Sequence, residues 1–325
     1  MNVLVTGGAG YIGSVMTERL LAHGHKTVVY DSLELGHRAA VAPDAVFVQG
    51  WLQDQSKLVE TLREHQIEAV MHMAAYALVG ESVKQPQKYF QNNFVAGLTL
   101  LDAMREADVK KIVFSSTCAT YGIPDKLPIT EDTPQLPVNP YGEAKLAFER
   151  AMKWYDEAYG LRYASMRYFN AAGASETFGE DHEPETHLIP NVLRVARGKA
   201  AHVNIFGEDY PTPDGTCIRD YVHVIDLAEA HVLALKVIAE KSRAYNLGYS
   251  NGYSVAEVVE MARQVTGCRI PTEAAPRRPG DPPILIANAD KATLELGWMP
   301  QHSELDNIIE SAWRWHSAHP NGYEK

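Results

Sequence analysis

The chain has 325 residues, 46% of them hydrophobic, and a formal net charge of −11, enough for a large domain and a smaller one around packed cores. The acidic balance, with no basic run, argues against nucleic acid as a partner, and no apolar run approaches membrane-spanning length. Cys118, Cys217 and Cys268 are scattered, with no CxxC pair, and no signal peptide is visible, so a chain with reduced thiols in the cytoplasm is expected.

The opening run NVLVT (2–6) is short, β-branched and apolar, as a buried parallel strand requires. Gly7, Gly8, Gly10 and Gly13 follow at once, and Gly8-x-Gly10-x-x-Gly13 has the dinucleotide spacing. Glycines there permit a tight turn and let backbone N–H groups approach a pyrophosphate. The helix starting near Tyr11 aims its positive end at the same place. The next strand, KTVVYD, ends at Asp31. A carboxylate at that point bonds ribose hydroxyls and repels a 2′-phosphate, which favours NAD over NADP.

Further strands are predicted at AVFVQ, EAVMHMA, KKIVFSS and RYASMRYF, between helices near 13–23, 55–65, 89–106 and 141–159. The alternation predicts an α/β fold built on a doubly wound parallel sheet (Rossmann). KKIVF runs into Ser115-Ser116-Thr117, at the strand end where open sheets bind ligands. In VNPYGEAK (138–145), Asn139-Pro140 reads as a helix start, which puts Tyr141 and Lys145 on one face. An ammonium beside a phenol lowers its pKa, so Tyr141 is a candidate base for an alcohol proton.

After Asn170 the pattern loosens. Loops are expected at 174–186, 207–215 and 275–283, and short helices at 190–197, 224–238, 254–266 and 289–296. The expected division is an NAD-binding domain over 1–170 and a smaller mixed α/β substrate domain over 171–325, with about 222–245 packing back on the first. The thirteen histidines include no HExxH or comparable cluster, so no metal is expected, and His72 reads as a packed histidine.

Taken together, GGAGYIGS (7–14), GES (80–82), FSSTCATYG (114–122), NPYGEAK (139–145), RYFNAAGA (167–174), THLIP (186–190), IFGEDYPTPDGTCIRDYVHV (205–224) and RRPGDP (277–282) carry a resemblance. The chain resembles the extended short-chain dehydrogenase/reductase family, in its UDP-sugar 4-epimerase branch. The resemblance implies a catalytic Thr117, Tyr141 and Lys145. It implies cofactor contacts from Gly7, Gly10, Tyr11, Ile12, Gly13, Asp31, Asn93 and Tyr168, joined by Tyr141 and Lys145. It assigns Asn170, His187, Leu188, Asn204, Phe206, Arg219, Arg278, Asp281 and Leu285 to the UDP-sugar, together with Thr117.

The implied activity is interconversion of UDP-glucose and UDP-galactose through a 4-keto intermediate, with NAD recycled. A homodimer through the 89–106 and 141–159 helices is implied as well. The alternative is a 4-epimerase acting mainly on UDP-N-acetyl-hexosamines or UDP-pentoses. Family dehydratases carry Asp-Glu directly after the triad threonine, whereas Cys118-Ala119 stand here, which argues against elimination. A catalytically silent NAD-binding regulator would have no reason to keep Thr117, Tyr141 and Lys145 together. Two positions depart from the family. Gly50-Trp51 replaces a Gly-Asp pair, so Trp51 is expected either beside the adenine or packed on the neighbouring helix. Ala77 stands where some members have lysine.

Overall fold

The computed structural model describes residues 1–278 and 281–323. Its first half runs β1 (Asn2–Thr6), α1 (Tyr11–Ala22), β2 (Lys26–Asp31), β3 (Val46–Gln49), α2 (Gln55–Glu64), β4 (Ala69–His72), α3 (Val79–Lys84), α4 (Pro86–Tyr89), α5 (Ala96–Glu106), β5 (Lys111–Thr117), α6 (Pro140–Tyr159) and β6 (Arg162–Tyr168). The second half runs β7 (Asn170–Ala172), α7 (Leu188–Ala196), β8 (Val203–Phe206), β9 (Ile218–His223), α8 (Val224–Val237), β10 (Arg243–Leu247), β11 (Gly252–Ser254), α9 (Val255–Thr266), β12 (Thr272–Ala275), β13 (Ile284–Leu285), α10 (Asp290–Leu296) and α11 (Leu305–Ala318).

Seven strands form one parallel sheet in the order β10-β6-β5-β4-β1-β2-β3. Central strands β1 and β4 are apolar on both faces because both faces are covered. α1 and α8 share one core with Val3, Val5 and Met71, and Leu4 and Val70 face a second core with α2, α5 and α6. Strand order reverses between β1 and β4, and the crevice outside their carboxyl ends is where such sheets bind ligands. The return segment contributes α8 against α1, and β10 pairs with β6 through Tyr245 opposite Met166.

The rest of the second half encloses a third core between α7, α9 and α11, beside a mixed four-stranded sheet of β7, β9, β11 and β13. α11 was not among the expected helices. Its buried Leu305, Ile308, Ile309 and Ala312 follow helical spacing, so the signal was present. The helix expected over 89–106 is also different in detail. It begins at Pro86 and passes through a π-helical stretch, Phe90–Val95, before α5. One extra residue per turn there aims Asn93 inward, where it is buried.

Candidate active site

The turn after β1 is tight enough to demand its glycines. Gly7 has φ +73°, and a β-carbon on it would stand 2.6 Å from the Ala74 nitrogen. A β-carbon on Gly13 would meet the Gly7 carbonyl at 2.1 Å. α1 therefore starts hard against the strand end, with Gly10 as its N-cap and no side chain capping it. Its first N–H groups, at Tyr11, Ile12 and Gly13, are left for an anion. Tyr11 itself turns away and donates to the Gly173 carbonyl at 2.6 Å, which ties the turn to the second half.

Asp31 ends β2, buried, and accepts from the Ala9 N–H at 3.0 Å and the Leu33 N–H at 2.8 Å. Burial raises its pKa, and the two amides oppose that shift. Each carboxylate oxygen keeps a lone pair for a ligand hydroxyl. Gly7, Tyr30, Asp31, Gly50, Trp51 and Ala74 line one crevice at this rim. Trp51 is half exposed there, and its carbonyl accepts from the Tyr30 hydroxyl at 3.0 Å. Asn92 also lines the crevice, and Asn93 beside it is buried. Its amide accepts from Tyr76 N–H and donates to Tyr76 C=O, both at 2.9 Å, and so fixes the loop after β4. This cradle fits a dinucleotide by its uncapped helix end, its glycine turn and its acid at the second strand.

Thr117 closes β5, and its hydroxyl accepts from the Ala119 N–H at 3.1 Å. Asn139 caps α6 by accepting from Gly142 N–H at 2.9 Å, with Pro140 in the first turn. Tyr141 and Lys145 then face the end of β5, both buried. Lys145 Nζ donates to the Ser115 carbonyl at 2.8 Å and stands 4.7 Å from the Phe114 ring centre. Tyr168 shares a 2.6 Å hydrogen bond with Ser115.

The electrostatics correct one expectation. Burial pushes the Tyr141 phenol well up, Tyr168 adds to that, and the Thr117 hydroxyl opposes it. Lys145 does not lower it. Its ammonium is 6.0 Å from the Tyr141 ring centre and engaged with Ser115. Burial instead lowers the pKa of Lys145 itself to about 7, with Glu149 pulling the other way. Sharing a helix face does not bring the two polar tips into contact.

Glu149 was missed in the sequence, though it continues the Tyr141, Lys145 spacing by one more turn. It accepts from Ser116 Oγ at 2.5 Å and from Arg167 Nη2 at 2.6 Å, and Arg167 donates to the Tyr121 hydroxyl at 2.9 Å. That buried network holds the floor under Lys145.

At the far side, Arg219 on β9 donates to Asp281 at 2.5 Å, and its register partner is Leu285 on β13. Leu285 and Cys118 both pack against a small core of Tyr121, Ile129, Phe169 and Ala287. The Arg278 guanidinium lies 4.2 Å from the Phe206 ring centre, and Asn204 shares the exposed face of β8 with Phe206. Asn170 donates to the Asp220 carbonyl at 2.8 Å. His187 precedes Leu188 at the start of α7 and turns its Nδ1 to Glu180 and Glu185. Its backbone N–H donates to Glu185 at 2.7 Å and its carbonyl accepts from Asn191 at 2.8 Å, which leaves its Nε2 for any sugar-nucleotide contact. The same loop corrects the view that no histidine cluster exists: Glu180, His182, Glu185 and His187 converge. The visible signal was their spacing, Glu-x-His-x-x-Glu-x-His.

The family profile described as "NAD dependent epimerase/dehydratase family" matches residues 3–248. A UDP-glucose 4-epimerase of Streptococcus mutans serotype c is 55% identical over 100% of this chain and 99% of its own. A solved UDP-glucose 4-epimerase superposes with a TM-score of 0.98 at 50% identity, covering 100% of both chains. The UDP-glucose 4-epimerase of Bifidobacterium longum, solved in complex with NAD+ and UDP, superposes at 0.95 with 38% identity, covering 99% of this chain and 100% of its own. Glycine turn, Thr117–Tyr141–Lys145 grouping and whole-length similarity agree, and the chain belongs to the NAD dependent epimerase/dehydratase family.

Proposed function

We propose that the protein interconverts UDP-glucose and UDP-galactose by transient oxidation at sugar carbon 4. The observation that carries this is the grouping of Thr117, Tyr141 and Lys145 at the end of β5, with no carboxylate in the two positions after Thr117. Bound NAD supplies the hydride acceptor and later the donor. The uncapped start of α1 holds its pyrophosphate, Asp31 its adenosine ribose, and Lys145 and Tyr168 border the nicotinamide end. Thr117 orients the sugar 4-hydroxyl, and Tyr141 takes its proton. Because the protein alone keeps Tyr141 protonated, proton removal needs positive charge from the loaded site. Arg219 and Arg278 hold the diphosphate while the 4-keto sugar turns, and Tyr141 returns the proton to the 4-oxygen as the hydride is delivered to the opposite face of carbon 4. Remote binding thus retains an intermediate whose reacting end stays free.

Residues 1–170, joined by the α8–β10 return, form the NAD-binding part in this reading, and the remainder of 171–325 the UDP-sugar part. Trp51 offers its indole to the adenine. A homodimer is proposed through the outer faces of the helices at 89–106 and α6, where Trp154 is 65% exposed and Val95 41%. Sedimentation at micromolar concentration tests it, and a monomer mass would refute it. Three free cysteines suit the cytoplasm, and among the described residues no helix is long and apolar enough to cross a membrane. The assay is formation of UDP-glucose from UDP-galactose, read by a coupled dehydrogenase. A protein that retains NAD yet turns over no UDP-sugar would overturn the reading. A second substrate class, UDP-N-acetyl-hexosamines, is favoured by Leu285, whose aliphatic side chain packs against the same small core as Cys118, the residue after Thr117.

A further inference from the structure

The loop between β7 and α7 carries a polar cluster in which only His187 borders the sugar-nucleotide side, and the Nδ1 that it turns into the cluster is left out of the sugar chemistry. Glu180, His182, Glu185 and His187 each turn one donor atom inward, all within 4.8 Å of one another. His187 Nδ1 is 2.8 Å from Glu180 Oε1 and 3.0 Å from Glu185 Oε1. His182 Nδ1 is 3.1 Å from the same Glu180 oxygen and 3.8 Å from Glu185 Oε2.

The two glutamate side chains are only 6% and 7% exposed, and among the described residues neither pairs with lysine or arginine. Buried carboxylates need compensating charge. Two imidazolium rings would supply it only as like charges with ring centres 5.4 Å apart. One divalent cation supplies it with both histidines neutral. The geometry suits that option. Tetrahedral zinc with ligands at about 2.0–2.2 Å sets neighbouring donors roughly 3.3–3.6 Å apart. Three of the separations above, 2.8 to 3.1 Å, are hydrogen-bond contacts that open by a few tenths of an ångström around an ion, and the fourth, 3.8 Å, runs to the other oxygen of Glu185. Two imidazole nitrogens and two carboxylate oxygens are ordinary zinc donors, and four protein ligands close the coordination sphere, as in structural sites.

We propose that Glu180, His182, Glu185 and His187 bind one zinc ion that fixes this loop. The location gives it a task. His182 meets the Tyr11 ring edge-on at 6.2 Å, and Tyr11 begins α1 at the cofactor turn. His187 leads into α7 at the sugar-nucleotide side. The ion would clamp these two parts of the site from behind, without touching substrate.

The test uses the full chain purified without a histidine tag. Elemental analysis should find stoichiometric zinc. Replacement by cobalt should give the visible absorption of a tetrahedral centre, and His182→Ala should abolish it. A strong chelator should lower the melting temperature of the wild type, and added zinc should restore it. No zinc, no cobalt absorption and an unchanged melting temperature would reduce the cluster to an ion-pair network. Cobalt absorption surviving in His182→Ala would also overturn the assignment. The wild-type cobalt spectrum decides the matter even if the variant fails to fold, and none of these readouts depends on epimerase activity.

Discussion

Lys145 and Arg219 are both cations of the site, and they are held in opposite ways. Lys145 sits on α6, buried, with its ammonium on one carbonyl and no carboxylate in contact. Glu149, the nearest acid, is occupied by Arg167 and Ser116. Arg219 comes with its own counterion, Asp281, from a segment 62 residues away. The cation proposed for catalysis is therefore destabilised by burial, and in that reading it responds to negative charge forming beside it. The cation proposed for anchoring is paired from the start, and in that reading it shares its charge with a ligand. A proton-transfer site gains from a charge that responds, and an anchoring site from one that persists.

Tyr141→Phe breaks the catalytic end at its reacting atom. Activity should fall by about 10²–10⁴-fold or more while NAD stays bound, since only the transferable proton is lost. Turnover and bound-cofactor absorbance check both halves, and simultaneous loss of NAD would make Tyr141 structural. Lys145→Met should also depress activity, because the buried cation on the Ser115 carbonyl is lost.

The same lysine variant sharpens the contrast through stability. The folded-state pKa of Lys145 is lowered from 10.5 to about 7, so between those values the unfolded chain holds a proton that the folded chain has released. Wild-type stability from this group thus rises with pH through that window, and the burial cost is fully present below about pH 7. Removing the charge should favour the variant most below pH 7 and progressively less towards 10.5. The ceiling is about 5 kcal/mol, reduced by about 1–3 kcal/mol for the unpaired Ser115 carbonyl. Melting curves across that pH range test this, and a constant difference would contradict it.

At the binding end, Arg278→Ala should raise KM for the UDP-sugar roughly tenfold or more with kcat little changed, because remote anchoring acts on binding. A loss confined to kcat would move Arg278 into the catalytic half. Leu285→Tyr gives the smallest effect and a selective one. Wild type should turn over UDP-N-acetylgalactosamine more weakly than UDP-galactose. The variant should lose the former by about 10–200-fold and keep the latter, the range a filled pocket imposes on one added group. Equal loss of both substrates would show that Leu285 does not border the sugar.

The sequence by itself determined whatever depends on neighbours within a turn or a strand. The glycine spacing dictates the β1–α1 turn because a β-carbon at Gly13 has no room, and that is a local steric fact. Tyr141 and Lys145 share a face because a helix has a fixed period, and apolar runs foretold the central strands. The tertiary structure decided what depends on burial and on distant chain. The low pKa of Lys145 is a property of the environment closed over α6, so residue spacing alone pointed to the wrong group as the one shifted. The pairing of β10 with β6, the Arg219–Asp281 pair and the stacking of Arg278 on Phe206 join segments far apart in the chain. The convergence of Glu180, His182, Glu185 and His187 belongs to the same class, although their spacing is short. Nothing periodic directs four loop side chains to one point, and only the fold of the loop around them does so.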